Sequence, residues 1–119
     1  MFDHIGITVK DLDASVRFYA ALLAPLGLVL CSRDDSSAGF GPEGQPALWL
    51  YPGKGARTPV HVAFVAKERA KVDRFYAAGR EAGARDNGAP GVRSDYSPTY
   101  YAAFLLDPDG NNVEAVCQK

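Results

Sequence analysis

From residue 2 to residue 9 apolar and small or polar residues alternate, with Ile5, Ile7 and Val9 on one parity and His4, Gly6 and Thr8 on the other. That is the period of a strand with one buried face. The period then lengthens: Leu12, Val16, Tyr19, Ala20 and Leu23 recur at helical spacing, behind Asp11 as N-cap and ahead of Pro25 and Gly27 as terminators. Three short strand patterns follow at residues 28–32, 38–40 and 47–51, separated by the turn-forming stretches RDDSS and GPEGQP. These elements make a β-α-β-β-β unit. PGKGARTP, residues 52–59, has no periodicity and reads as a connector.

A shift of 57 positions lays the chain over itself. His4 falls on His61, Lys10 on Lys67, and the pentapeptide RFYAA at residues 17–21 on its second copy at 74–78. A match at fixed offset is the mark of a repeated structural unit. The second unit starts with VHVAFVA at 60–66 and continues as a helix over 68–82 with Val72, Phe75, Tyr76 and Gly79 inward. RFYAA lies in the middle of both helices, where Phe18 and Phe75, or the tyrosine after each, anchor them to their sheets. Residues 87–97 hold two Gly and one Pro and read as a loop. A strand follows at 100–106, DPDG forms a type I turn, and residues 112–117 return as its hairpin partner.

The expected fold is α+β: two tandem βαβββ modules, 1–51 and 60–119, joined by a linker at 52–59. Their curved mixed sheets surround a cavity, and their helices lie on the outer face. Each module is shorter than 60 residues, too small to bury a comfortable core alone, so the two must pack against something.

Composition narrows the function. With 13 basic and 14 acidic residues the net charge is −1, which gives no electrostatic reason to bind nucleic acid. No apolar run reaches the length of a membrane span, and the first residues have no signal-peptide pattern, so the cytoplasm is the expected compartment. Cys31 and Cys117 form no CxxC and are expected as free thiols. A small molecule is the expected partner.

The candidate chemistry shares one face. Strand parity turns His4 and His61, the two histidines of the chain, away from the helices and toward small neighbours. Glu114 interrupts the otherwise apolar centre of NNVEAVC. A carboxylate desolvated there is paired or binds a cation, whereas on a solvated edge it needs neither. Two imidazoles and one carboxylate are a donor set for a divalent transition metal: iron(II), manganese(II), zinc or nickel, in preference to calcium or magnesium.

The duplicated βαβββ unit, a histidine in the first strand of each module, DPDG, and a glutamate in the last strand resemble the vicinal oxygen chelate superfamily. That group includes glyoxalase I, extradiol dioxygenases, fosfomycin-resistance thiol transferases and metal-free bleomycin-binding proteins. The resemblance covers essentially the whole chain and implies His4, His61 and Glu114 as metal ligands. One departure is visible. Glyoxalase I has a further carboxylate in the last strand of module one, where this chain reads ALWLYP, with Trp49 or Leu48 at the matching position. Neither binds metal or moves a proton, which argues against glyoxalase I isomerisation.

Two functions follow. One is a metalloenzyme whose ion chelates vicinal oxygens of a substrate and stabilises an oxyanion, by lyase, transferase or dioxygenase chemistry. The other is a metal-free binding protein walled by Trp49 and tyrosines. Tyr96, Tyr100 and Tyr101 are candidate proton donors. Thr8 and Arg93 are candidates for the substrate pocket, and the linker cations Lys54 and Arg57 for an anionic group. The short linker, with two Pro and two Gly, favours side-by-side modules completed by a twofold partner, hence a homodimer in which His4 of one chain joins His61 and Glu114 of the other.

Overall fold

The computed structural model describes residues 1–54 and 58–119. Arg57 lies outside the described residues. Module one contains β1 (Ile5–Val9), α1 (Leu12–Leu23), a 3-10 turn (Ala24–Leu26), β2 (Val29–Arg33), β3 (Ala38–Gly41) and β4 (Leu48–Pro52). Module two contains β5 (His61–Val65), α2 (Arg69–Glu81), β6 (Arg85–Val92), β7 (Tyr101–Leu106) and β8 (Asn112–Cys117).

The two sheets have the same topology, β1-β4-β3-β2 and β5-β8-β7-β6. In each, the first strand pairs in parallel with the last, and the other pairs are antiparallel. The α+β class and the duplicated module are as the sequence pattern predicts. One element differs. Residues 85–92, read mostly as loop, form the edge strand β6. Gly88, Pro90 and Gly91 hide the strand pattern, and the pairing of β6 with β7 tolerates them through register shifts on either side of Gly88. An edge position is where a strand can accept Pro, because one of its rows of N–H groups has no ladder partner.

Helix α1 begins at Asp11, whose carboxylate accepts from the Ala14 N–H at 3.0 Å. Its apolar stripe of Leu12, Val16, Phe18, Tyr19, Leu22 and Leu23 is buried, and α2 buries Val72 and Phe75 in the same way. The two helices also pack against each other. The repeat departs from itself at that contact: the counterpart of Leu22 is Gly79. A Cβ at Gly79 would fall 2.3 Å from the Leu105 side chain, so glycine is what admits that leucine beside Leu22. One buried polar cluster also ties the modules. Tyr19 of α1 donates its hydroxyl to Asp107 of the DPDG turn at 2.6 Å, and Asn111 bonds both Asp107 and the Val60 N–H that precedes β5.

Core residues fill the space between helices and sheets, and the opposite face of each sheet carries no helix. Among the described residues no helix is long and apolar enough to cross a membrane. Cys31 and Cys117 are free thiols.

Candidate functional site

The strand register builds a cluster on the helix-free face of the second sheet. Glu114 lies opposite Ala63 on β5 and opposite Phe104 on β7, so these three share a face. His61, two residues before Ala63, points the same way. Its Nε2 lies 2.7 Å from Glu114 Oε1. Tyr100 donates its hydroxyl to the other carboxylate oxygen at 2.5 Å. Glu114 is 1% exposed whereas the His61 side chain is 53% exposed, so a buried carboxylate opens to solvent through a histidine. The carboxylate needed a partner, and it has two.

Aromatic and cationic groups surround this centre. The Tyr96 ring meets the Tyr100 ring edge-on at 4.9 Å. Phe104 neighbours both His61, 6.3 Å away by ring centroid, and the Arg93 guanidinium carbon, 5.2 Å from the ring centroid. Phe104 was not singled out in the sequence. Its signal was available: it has the parity of Tyr100 along strand β7, and that parity faces Glu114.

Burial, the hydrogen bond to Glu114 and that group's charge push the Tyr100 phenol up to about 12. The phenol therefore stays protonated through the neutral range and is a hydrogen-bond donor, not a base. Its folded value lies above the ordinary 10.0, so the stability it contributes is full below about pH 10 and is lost as pH rises toward 12. Glu114→Gln removes the charge and leaves the burial. In the metal-free protein, ultraviolet titration should then show one tyrosine ionising at lower pH than in the parent; an unchanged curve would break the proposed coupling.

Tyr101 belongs elsewhere. It points to the helix side, where it donates to Asp73 of α2 at 2.6 Å beneath the Arg69 guanidinium. Tyr96 and Tyr100 flank the cluster, and Tyr101, grouped with them from sequence, does not.

The first sheet presents a second set of groups. His4 Nδ1 bonds Asp3 at 2.6 Å, which leaves its Nε2 free, and the ring is exposed. Trp49 lies opposite Gly6, just as Glu114 lies opposite Ala63, the repeat counterpart of Gly6. The register thus resolves the alternative between Trp49 and Leu48: Trp49 occupies the place equivalent to Glu114, while Leu48 is buried on the helix side. Trp49 covers Gly39 and Tyr51 covers Gly6, each so closely that a Cβ on the glycine would come within 2.9 Å of the ring. Thr8 lies beside Gly53 at the far end of the strand.

Within one chain the three expected ligands are not brought together. Among the described residues no group of three or more His, Cys, Asp or Glu side chains is placed to hold a metal. His61 and Glu114 converge, and His4 stands on the other sheet. An apolar cavity of about 160 Å³ does lie between the modules, lined by residues that include Ile5, Phe40, Leu48, Val62 and Phe64. Neither histidine nor Glu114 lines it.

Comparison with known proteins extends the geometry. A glyoxalase/bleomycin resistance protein from Albidiferax ferrireducens T118 is similar in structure at TM-score 0.84 and 29% identity, over 100% of this chain and 99% of that one. A lactoylglutathione lyase from Agrobacterium tumefaciens shares the fold at TM-score 0.69 and 22% identity, over 98% and 92% of the two chains. The oxidase ChaP-H1 shares it at TM-score 0.73 and 23% identity, over 100% and 96%. One fold thus carries proteins with different reaction names, and at such identities the likeness to the lyase and the oxidase speaks for the fold alone. No curated protein matches the chain in sequence. The profile of the Glyoxalase/Bleomycin resistance protein/Dioxygenase superfamily matches residues 1–115, and the chain belongs to that superfamily.

Proposed function

We propose that the protein is a metal-dependent enzyme acting on a small substrate with adjacent oxygens, and that each site is shared between two copies of the chain. His61 and Glu114 of one copy and His4 of the other are the ligands. The observation that carries this reading is the convergence of the His61 and Glu114 donor atoms, 2.7 Å apart, where a buried carboxylate meets an exposed imidazole. With the proton they share released, His61 Nε2 and Glu114 Oε1 would be donors able to hold a divalent cation. His4 has the right chemistry for the third ligand: the Asp3 carboxylate orients its ring through Nδ1 and leaves Nε2 to coordinate. One imidazole from each chain and one carboxylate suit iron(II), manganese(II), zinc or nickel.

When bound, the ion is the electrophile that engages vicinal substrate oxygens and stabilises negative charge developing on them. The chain's own residues do the rest. Glu114 supplies a desolvated negative charge from the floor of the site. Tyr100 orients that carboxylate and holds a phenolic proton beside the reacting region. With Trp49 in the place equivalent to Glu114, the first sheet has no second carboxylate to shuttle a proton, which favours lyase, transferase or ring-cleaving chemistry over glyoxalase I isomerisation.

A second reading has an observation of its own. Glu114 already accepts hydrogen bonds at both oxygens, so its burial does not demand a cation, and Trp49 and Tyr51 offer aromatic walls. On that reading the protein sequesters an aromatic compound without metal, as bleomycin-resistance proteins do. Elemental analysis of protein purified without chelators separates the two. The enzyme reading expects about one transition metal per chain, lost in His61→Ala. Substoichiometric metal that His61→Ala leaves unchanged would sink it.

A further inference from the structure

We infer that Arg93 is a carboxylate-recognition residue at the edge of this site, so that the substrate class is a small planar compound bearing a carboxylate. The inference rests on the proposed function only for where the substrate sits. Strand β6 builds a seat for the guanidinium. Arg93 Nη1 donates to the Gly91 carbonyl at 2.9 Å and Nη2 to the Ala89 carbonyl at 2.7 Å, which holds the group over the Phe104 ring. Two glycines make the room: a Cβ at Gly88 would lie 3.0 Å from Nη2, and one at Gly91 3.2 Å from Nη1. Gly88 also has φ +148°, a backbone conformation that other residues rarely adopt. Two of the residues that disguised β6 as loop, Gly88 and Gly91, therefore make the room for Arg93.

The seated guanidinium is short of a counter-charge. Among the described residues Arg93 forms no ion pair. Its fork has five N–H donors, and the two carbonyls take only two. An arginine that is half-buried and fixed by two carbonyls presents its remaining donors to a carboxylate in the planar geometry that group accepts. The position relative to the chemistry is also defined. Phe104 neighbours both Arg93 and His61, at 5.2 Å and 6.3 Å from its ring centroid, and the Tyr96–Tyr100 pair provides further aromatic surface. A conjugated or aromatic carboxylate can lie against Phe104 with its anion on Arg93 and its other end toward Glu114.

Benzoate and its uncharged isostere benzamide test this by two-dimensional NMR of the metal-free, chelator-treated protein. The expected result is a benzoate affinity at least tenfold above that of benzamide, with shifts in the Arg93 Nε–H and the Gly91 and Phe104 amides. Arg93→Gln should bring benzoate binding down to that of benzamide, and Arg93→Lys, which keeps charge but not the fork, should retain only part of the preference. Phenylphosphonate separates sources of negative charge: weaker binding than benzoate supports a carboxylate fork, and tighter binding overturns it. Equal binding of benzoate and benzamide, no measurable binding of either, or a preference that survives Arg93→Gln would each overturn the proposal. Because the measurement is made without metal, failure of metal uptake would refute the enzyme reading without altering this outcome.

Discussion

A mixed dimer with His4→Ala in one chain and Glu114→Ala in the other should bind about one metal ion, whereas each mutant homodimer should bind none. The expectation follows from how the modules are joined. Each sheet has a face without helices, and the two sheets do not close into one barrel. His61 and Glu114 meet on the second, while His4 stands on the first beside Asp3. If a twofold partner lays its first sheet over the second sheet of its neighbour, every site draws His4 from one chain and the other two ligands from the other. In the mixed dimer both defects then fall in the same site, and the second site is intact. If all three ligands came from one chain, each site would carry one defect and tight binding would not return. Coexpression with different tags, isolation of the heterodimer and metal analysis make this an all-or-none readout. Return of no metal would refute the shared arrangement and leave the ligand identities to the single mutants.

The largest expected loss of stability lies outside the site, at Asp107. This carboxylate is 2% exposed and accepts from the Tyr19 hydroxyl, the Asn111 side-chain amide, and the backbone N–H groups of Asp109 and Asn111. Asp107→Ala strands several of those donors away from water. Each buried unsatisfied donor costs about 1–3 kcal/mol, and because neighbours share their losses the expected sum is about 3–5 kcal/mol. Domains of this size are stable by only about 5–15 kcal/mol, so the variant should lose much of its resistance to urea. The repeat supplies an internal control. Tyr19 and Tyr76 are equivalent residues of the two RFYAA copies, and each hydroxyl donates to an aspartate, the first to buried Asp107 and the second to exposed Asp86. Tyr19→Phe should cost about 1–2 kcal/mol, and Tyr76→Phe, on the exposed pair, distinctly less. Equal losses would mean that the buried link between the modules contributes nothing particular. The same cluster holds the Val60 N–H through Asn111, so it also fixes where β5 and His61 begin.

Much of this was legible in the chain because periodicity and duplication are local properties of sequence. Alternation around His4 and His61 fixed which way both side chains point, and a shift of 57 positions identified two copies of one unit. A lone acid in an apolar strand marked Glu114 as a group whose burial needs an explanation. What the sequence obscured, it obscured for physical reasons. Strand β6 was hidden by Gly88, Pro90 and Gly91, whose local preference for turns is overridden by pairing with β7. Tyr96, Tyr100 and Tyr101 looked like one cluster because they are close in sequence. A strand turns successive side chains to opposite faces, and only the tertiary structure brings Tyr100, the residue before β7, onto Glu114 and sends Tyr101 to α2. The partners of Glu114 were decided the same way, since His61 and Tyr100 are distant from it in sequence and meet it only when β5, β7 and β8 align. Sequence by itself therefore determined the modules, their faces and the chemical types available. Tertiary structure decided which of those groups touch, because contact between strands depends on register and sheet order, and neither is encoded in the spacing of residues along one strand.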